Sequence, residues 1–323
     1  MTEAVFGFLK RNNSLVITTH DNADADGIGA ELAFYEIAVS RRKKARIINS
    51  QHISENFAFM DKSNLIESWE EVQSSLPSDA AMVIVDTMDE YHIGQLIDFI
   101  PKAREVMVID HHEPKEFCEL KGYIDSTASS TCEMIVELAL EAGIKLSADS
   151  AAAAYAGIVY DSGFFAYPKT TIRTFKAAIT LLEAGVNPNK IYQELNESAS
   201  ISSLALQKAV QSTMEIFCKG RVAVQMLRNE DIIACGASYE AAEGFINIPM
   251  RCKDILVSVL IKENKEGKIR CSLRSKGSVN VSKIAQSLGG GGHVSASGFK
   301  SSLNMDDTLT IVMEKINKEL ERI

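Results

Sequence analysis

The first half of the chain alternates short, nearly all-apolar runs with stretches of helical periodicity. Leu15–Thr19, Arg46–Ser50, Ala81–Asp86 and Glu105–Asp110 read as strands. Runs that are apolar at almost every position, rather than at alternate ones, predict a parallel sheet covered on both faces. Gly27–Arg42, Ser130–Ala142, Ala148–Tyr160 and Thr171–Ala184 carry helical spacing, and Ser130-x-x-Glu133 has the form of a capping box. Met1–Asn13 places an acid ahead of any apolar core and reads as a short amphipathic helix, not a signal peptide.

Beyond Thr171–Ala184 the order changes. Asn187–Cys218 is polar and helical and reads as a joint. Strand Val222–Leu227, helix Tyr239–Ile246, strands Ile255–Ile261 and Lys268–Arg274, helix Val281–Leu288 and a closing helix Asp306–Ile323 follow. The expected architecture is α/β. It has an N-terminal parallel-sheet lobe over residues 1–187, a helical linker over 188–218 and a smaller C-terminal α/β lobe over 219–323.

Length and composition narrow the class. The 323 residues amount to about two domains. A 46% hydrophobic and 24% charged composition is globular and excludes a disordered or collagenous chain. The longest apolar run, Ala151–Tyr160, closes at Asp161 and is too short to span a bilayer, so no membrane partner is expected. Cys118, Cys132, Cys218, Cys235, Cys252 and Cys271 form no CxxC pair and read as thiols of a reducing cytoplasm.

The net charge, 34 − 43 = −9, disfavours a binder of long duplexes. Residues 251–300 nevertheless hold ten Lys/Arg against three Asp/Glu, a surplus of seven. An acidic body with one basic lobe suits a small or short anionic substrate. The run Arg41-Arg42-Lys43-Lys44 follows a helix and precedes a strand, so it reads as a solvated helix C-terminus. Trp69 reads as core, and no GxSxG motif marks a nucleophilic serine.

The chemistry-bearing residues gather where apolar runs stop. His20, Asp24 and Asp26 follow the first strand, Asp86 closes the third apolar run, Ala81–Val85, and Asp110-His111-His112 the run after it. Asp161 ends the apolar run Gly157–Tyr160 and meets Ser162-Gly163. In an open parallel sheet these positions share one edge, where ligands bind. So many carboxylates cannot share a cleft as bare anions, and divalent cations resolve the conflict. Imidazole mixed with carboxylate suits Mn²⁺ best, ahead of Mg²⁺, Co²⁺ or Zn²⁺. Two such ions about 3.5–4 Å apart activate a water and steady an in-line phosphoryl displacement.

A second constellation lies in the basic lobe. Gly289–Gly292 lacks β-carbons and can bring backbone N–H groups close to a phosphate, with His293 adding a donor. Arg270, Ser272 and Arg274 alternate onto one strand face just before it. Ser130 and Thr131 at a helix start could bind an anion, but capping alone accounts for them.

Together these motifs resemble the DHH phosphoesterase superfamily, named for the triplet present here as Asp110-His111-His112. The second lobe resembles the DHHA1 type through Gly289–His293 and the basic strand before it. Lobe sizes are most similar to NrnA-type oligoribonuclease/pAp phosphatases. The resemblance implies one metal on His20, Asp24 and Asp86, and another on Asp26, Asp86, His111 and Asp161, with Asp86 bridging. It implies His112 beside the scissile phosphate, Asp110 orienting a histidine, and Arg270, Ser272, Arg274, Gly290, Gly291, Gly292 and His293 holding substrate. It also implies a possible homodimer. Two departures stand out: Tyr160-Asp161-Ser162-Gly163 replaces the usual Thr-Asp-Thr-Gly, and His92 stands where relatives often place Arg.

The expected activity is hydrolysis of short single-stranded RNA to nucleoside 5′-monophosphates, or of 3′-phosphoadenosine 5′-phosphate (pAp) to AMP and phosphate. Alternatives are a phosphodiesterase for linear or cyclic dinucleotides and a nucleotide-binding regulator without catalysis.

Overall fold

A computed structural model of the chain describes residues 2–72, 75–77, 79–114, 120 and 122–322. Cys118 lies outside the described residues; the other five cysteines are free thiols. Contacts divide the chain into two units, residues 1–198 and 199–323. No described helix is long and apolar enough to cross a membrane.

The first unit runs α1 (Thr2–Arg11), β1 (Ser14–Thr18), α2 (Ala25–Ser40), β2 (Lys44–Asn49), β3 (Ile66–Ser68), α3 (Trp69–Val72), β4 (Ala81–Val85), β5 (Val106–Asp110), β6 (Gly122–Ile124), α4 (Thr131–Glu141), α5 (Ala148–Asp161), α6 (Ile172–Glu183) and α7 (Pro188–Asn196). Its six strands lie in the order β3-β2-β1-β4-β5-β6, and every neighbouring pair is parallel. Ile17 of β1 pairs with Ile47 on one side and Val83 on the other.

The all-apolar runs behave as the pattern predicts: β4 is buried at all five positions. Val83, Val85 and Ile109 pack with α2, α4 and α5, while Met82, Ile84 and Val108 pack with Val72, Leu96 and Phe99 on the opposite face. Trp69 packs against that second cluster, as core. The amphipathic α1 buries Val5, Phe8 and Leu9. Arg41 caps the end of α2 and Lys44 opens β2, so the basic run is a helix C-terminus followed by a strand.

The second unit runs α8 (Ile201–Ser212), β7 (Glu215–Phe217), β8 (Val222–Leu227), α9 (Asn229–Cys235), β9 (Val257–Glu263), β10 (Ile269–Ser275), α10 (Val281–Gln286), β11 (Gly291–His293), β12 (Ala296–Ser301) and α11 (Met305–Leu320). The sheet order is β11-β12-β10-β9-β8-β7. Only β8 and β9 pair in parallel; their neighbours are antiparallel. One face packs Val224, Val259, Cys271 and Leu273 against α10 and α11. The other packs Leu227 and Leu260 against α8, α9 and the turns between α9 and β9.

Three local expectations are corrected. Tyr239–Ile246 is not a helix but two single 3-10 turns, Glu240–Ala242 and Phe245–Asn247, parted by Gly244 at φ +85°. Ser130 accepts from the Glu133 amide as an N-cap should, but the Glu133 carboxylate turns to the Ser129 hydroxyl at 2.6 Å, so the capping box is half formed. Of Asn187–Cys218, α7 belongs to the first unit and α8 to the second.

Candidate metal centre

The sheet order reverses direction between β1 and β4, and the predicted residues lie beyond the carboxyl ends of those two strands and of β5. That is where an open α/β sheet opens a crevice. After β1, Asp24 caps α2, its Oδ1 accepting from the amides of Asp26 (3.0 Å) and Gly27 (3.2 Å). The DxD pair is thus a helix cap and part of the cluster at once. Gly27 is required here, because a Cβ would stand 2.5 Å from Thr19 Oγ1, which itself donates to the Val85 carbonyl. That contact ties the end of β1 to the end of β4.

Asp86 follows β4 at φ +62°, a left-handed conformation that is strained for a side-chain-bearing residue. Its Oδ2 lies 3.5 Å from His20 Nε2, and its Oδ1 lies 3.6 Å from His111 Nε2. His20 Nε2 also stands 3.9 Å from Asp24. His111 Nε2 stands 3.9 Å from Asp26 and 3.2 Å from Asp161. His20, Asp24 and Asp86 therefore form one ligand-like triangle, and Asp26, Asp86 and His111 another. The opposite ring nitrogens point at backbone: His20 Nδ1 is 2.9 Å from the Asp21 carbonyl and His111 Nδ1 3.4 Å from that of Ala128. A carbonyl can only accept, so Nδ1 carries the proton and Nε2 presents its lone pair to the cluster.

His112 forms a further set with Asp86 and Asp110, its Nδ1 3.9 Å from Asp86 Oδ1. Its Nδ1 is 2.7 Å from Asp110 Oδ1, which also accepts from the His112 amide at 3.1 Å. Asp161 ends α5, and close helix packing carries it in: a Cβ on Gly157 would stand 2.5 Å from Cys132 Sγ and 2.9 Å from the Ala25 carbonyl.

The electrostatics follow from burial. Desolvation, with Asp26 and Asp24 as like-charged neighbours, drives Asp86 and Asp161 well above the usual carboxylate range. Asp26 is raised by desolvation and by Asp24, against the amides of Thr131 and Cys132. Asp110 is the exception: burial works against its charge, but the bond to His112 holds it below the usual range, and Asp110 in turn raises His112. The pair is an ion pair beside a cluster short of positive charge. Such a cluster fits divalent cations by donor type and by charge.

Sequence reasoning missed two neighbours of this cluster. Lys169 donates to the His111 carbonyl at 3.3 Å and lowers Asp161. Thr131 donates its hydroxyl to Asp86 Oδ1 at 2.9 Å and its amide to Asp26 Oδ2 at 2.7 Å. The Ser-Ser-Thr run reads as a cap or an anion site, and nothing in it tells which hydroxyl caps and which reaches an acid.

In the second unit, Arg270, Ser272 and Arg274 do alternate onto the side of β10 opposite the buried Ile269, Cys271 and Leu273. Arg274 and His293 both pair with Ala296 of β12, so they share one register row; Ser272 and Gly291 share another through Gly298. The glycine run is not an open loop. Gly291–His293 is the edge strand β11, and Gly290 and Gly292 are seated so tightly that a Cβ would meet the carbonyls of Gly298 and Ala296. Lys262, unnoticed in the sequence, pairs across from Arg270; it lies 4.3 Å over the Tyr239 ring, and burial with Arg270 lowers it to about 8.

Residues 14–158 match the DHH family, N-terminal domain, and residues 219–322 match the DHHA1 domain. The chain is 27% identical, over 95% of its length and 90% of the other's, to the bifunctional oligoribonuclease and PAP phosphatase NrnA of Thermus thermophilus. It is also 27% identical to the cyclic-di-AMP phosphodiesterase GdpP of Bacillus subtilis, across 99% of this chain and 50% of that one. An exopolyphosphatase-related protein from Bacteroides fragilis superposes with a TM-score of 0.89 at 26% identity, covering 98% of this chain and 95% of its own.

Proposed function

Because the chain belongs to the DHH family in its DHH–DHHA1 form, we propose that it is a divalent-metal-dependent phosphoesterase. Its substrates are short single-stranded RNA, cut to nucleoside 5′-monophosphates, and pAp, cut to AMP and phosphate. The likeness to the Thermus thermophilus enzyme supports this choice across nearly the whole chain.

The observation that carries the reading is Asp86, whose two carboxylate oxygens face two different histidines at 3.5 and 3.6 Å. A carboxylate so placed suits a bridge between two cations. His20, Asp24 and Asp86 would hold one, and Asp26, Asp86, His111 and Asp161 the other, with Mn²⁺ favoured by the mixed donors. When bound, the ions supply a polarised water and neutralise charge growing on the phosphoryl oxygens. His112, oriented through Nδ1 by Asp110, offers Nε2 to the phosphate or leaving group. Arg270, Ser272, Arg274, Gly290, Gly291, Gly292 and His293 hold the remainder of the substrate, arginine forks suiting phosphate oxygens.

The likeness to GdpP favours a second reading, a dinucleotide phosphodiesterase. One assay separates the two. Chelator-stripped protein receives Mn²⁺ and, separately, pAp, a 5′-phosphorylated dinucleotide, a cyclic dinucleotide, a long RNA and pyrophosphate. Turnover of pAp and the linear dinucleotide is the expected result. Preference for the cyclic dinucleotide selects the second reading, and turnover of pyrophosphate alone, or of nothing, overturns both.

A further inference from the structure

Two acids of the cluster come from different elements, Asp26 from the first turn of α2 and Asp86 from the loop after β4, yet one residue grips both. Thr131 opens the 11-residue α4. Its amide donates to Asp26 Oδ2 at 2.7 Å, the next amide, that of Cys132, donates to Asp26 Oδ1 at 2.9 Å, and the Thr131 hydroxyl donates to Asp86 Oδ1 at 2.9 Å. The residue is fully buried.

Capping does not account for this hydroxyl. Ser130 already caps α4 by accepting from the Glu133 amide at 3.0 Å. A threonine within a helix commonly turns its hydroxyl back to the carbonyl of the preceding turn. At the first helical position no such intrahelical carbonyl exists, and the hydroxyl goes to Asp86 instead.

We propose that Thr131 is a positioning residue that fixes the separation of Asp26 and Asp86 and the rotation of the Asp86 carboxylate about its own axis. The proposal rests on the two-cation reading above. The Thr131 hydroxyl occupies one lone pair of Oδ1, the oxygen nearer His111, and so keeps Oδ2 turned to His20. Asp86 is held at φ +62°, so the backbone alone offers a strained platform that needs lateral support. Partners of ligands act in this way at metal sites generally, and losing one weakens metal binding about 10–100-fold.

The test is Mn²⁺ titration by calorimetry on Thr131→Val, which keeps the shape and loses the hydroxyl, and on Thr131→Ser, which keeps the hydroxyl. Metal-free melting temperature and the kinetics of pAp hydrolysis are read alongside. The expected result is Mn²⁺ binding weakened about 10–100-fold in the valine variant and restored to within about threefold in the serine variant. With limiting Mn²⁺, kcat should fall while KM for pAp stays within about twofold of wild type. Thr131→Ala, free of the β-branched methyls, provides the same deletion should the valine side chain fail to fold. Wild-type Mn²⁺ affinity in the valine or alanine variant overturns the proposal, as does a serine variant as weak as valine. A wild-type chain that binds no Mn²⁺ overturns the two-cation reading itself, before any variant is compared.

Discussion

Nδ1 of His112 lies 2.7 Å from Oδ1 of Asp110, and the carboxylate is held below its ordinary range by that contact despite being buried. The imidazole is raised in turn, so the pair exists as a charged couple that leaves proton chemistry at His112 to Nε2. Asp110→Asn keeps the shape and removes the charge. It is expected to lower kcat about 10²–10⁴-fold, while bound Mn²⁺, measured by atomic emission, stays near the wild-type ratio.

Asp86→Asn isolates the charge of the shared carboxylate, because asparagine tolerates the left-handed backbone that Asp86 adopts. The variant should lose metal from both triangles and drop in kcat by about 100-fold or more. Its metal-free melting temperature should rise, since asparagine spares the folded chain the cost of protonating that acid or burying its charge. A variant that keeps full activity removes the bridging role.

The raised acids fix a pH dependence. Asp26, Asp86 and Asp161 hold protons in the folded chain at pH values where the unfolded chain has released them. Their contribution to stability is complete below the ordinary carboxylate value and is lost as pH rises through their elevated ones. His112 acts in the same sense, its pairing with Asp110 fading as pH rises through its raised value. Metal-free protein should therefore melt lower at about pH 8 than at about pH 6, and saturating Mn²⁺ should reverse the order because metal binds the deprotonated ligands. Calorimetry across that range checks both signs.

Much of this centre was legible from residue order. Acids that close apolar runs are sent to one edge by a parallel sheet, and the side chains of His20, Asp24, Asp26, Asp86 and His111 lie close together there. What stayed hidden was held by short elements or by partners remote in sequence. Strands β3, β6, β7 and β11 have three residues each, too few to display a period of two. The glycine run gives no strand signal because strand statistics count against glycine; only the nearness of the β12 carbonyls explains its place in a sheet. Thr131 meets Asp26 across 105 positions, a relation no local pattern encodes.

Helix contact supplies a stability prediction. Gly157 has no room for a β-carbon against Cys132 and the start of α2. Gly157→Ala should push α5 away, cost about 1–3 kcal/mol by denaturant melting, and weaken metal binding by withdrawing Asp161. A variant of unchanged stability would show that the neighbours yield.

On the second unit, Arg274→Ala should raise KM for pAp about tenfold, the loss of one charge-assisted phosphate contact, with metal content unaltered. Unchanged kinetics would remove Arg274 from the grip.

The single parallel pair in the second sheet, β8 beside β9, obliges the chain to travel back over the sheet before it can start the next strand. That return path, with α8, roofs the β8 and β9 end of one face. Its turn Phe245–Asn247 reaches β10 as well, on which Arg270 remains exposed. A purely antiparallel meander would need no such detour and would leave the whole face bare. Strand direction thus lays a roof over one surface that stabilises the unit, and Arg270 still stands exposed beside it.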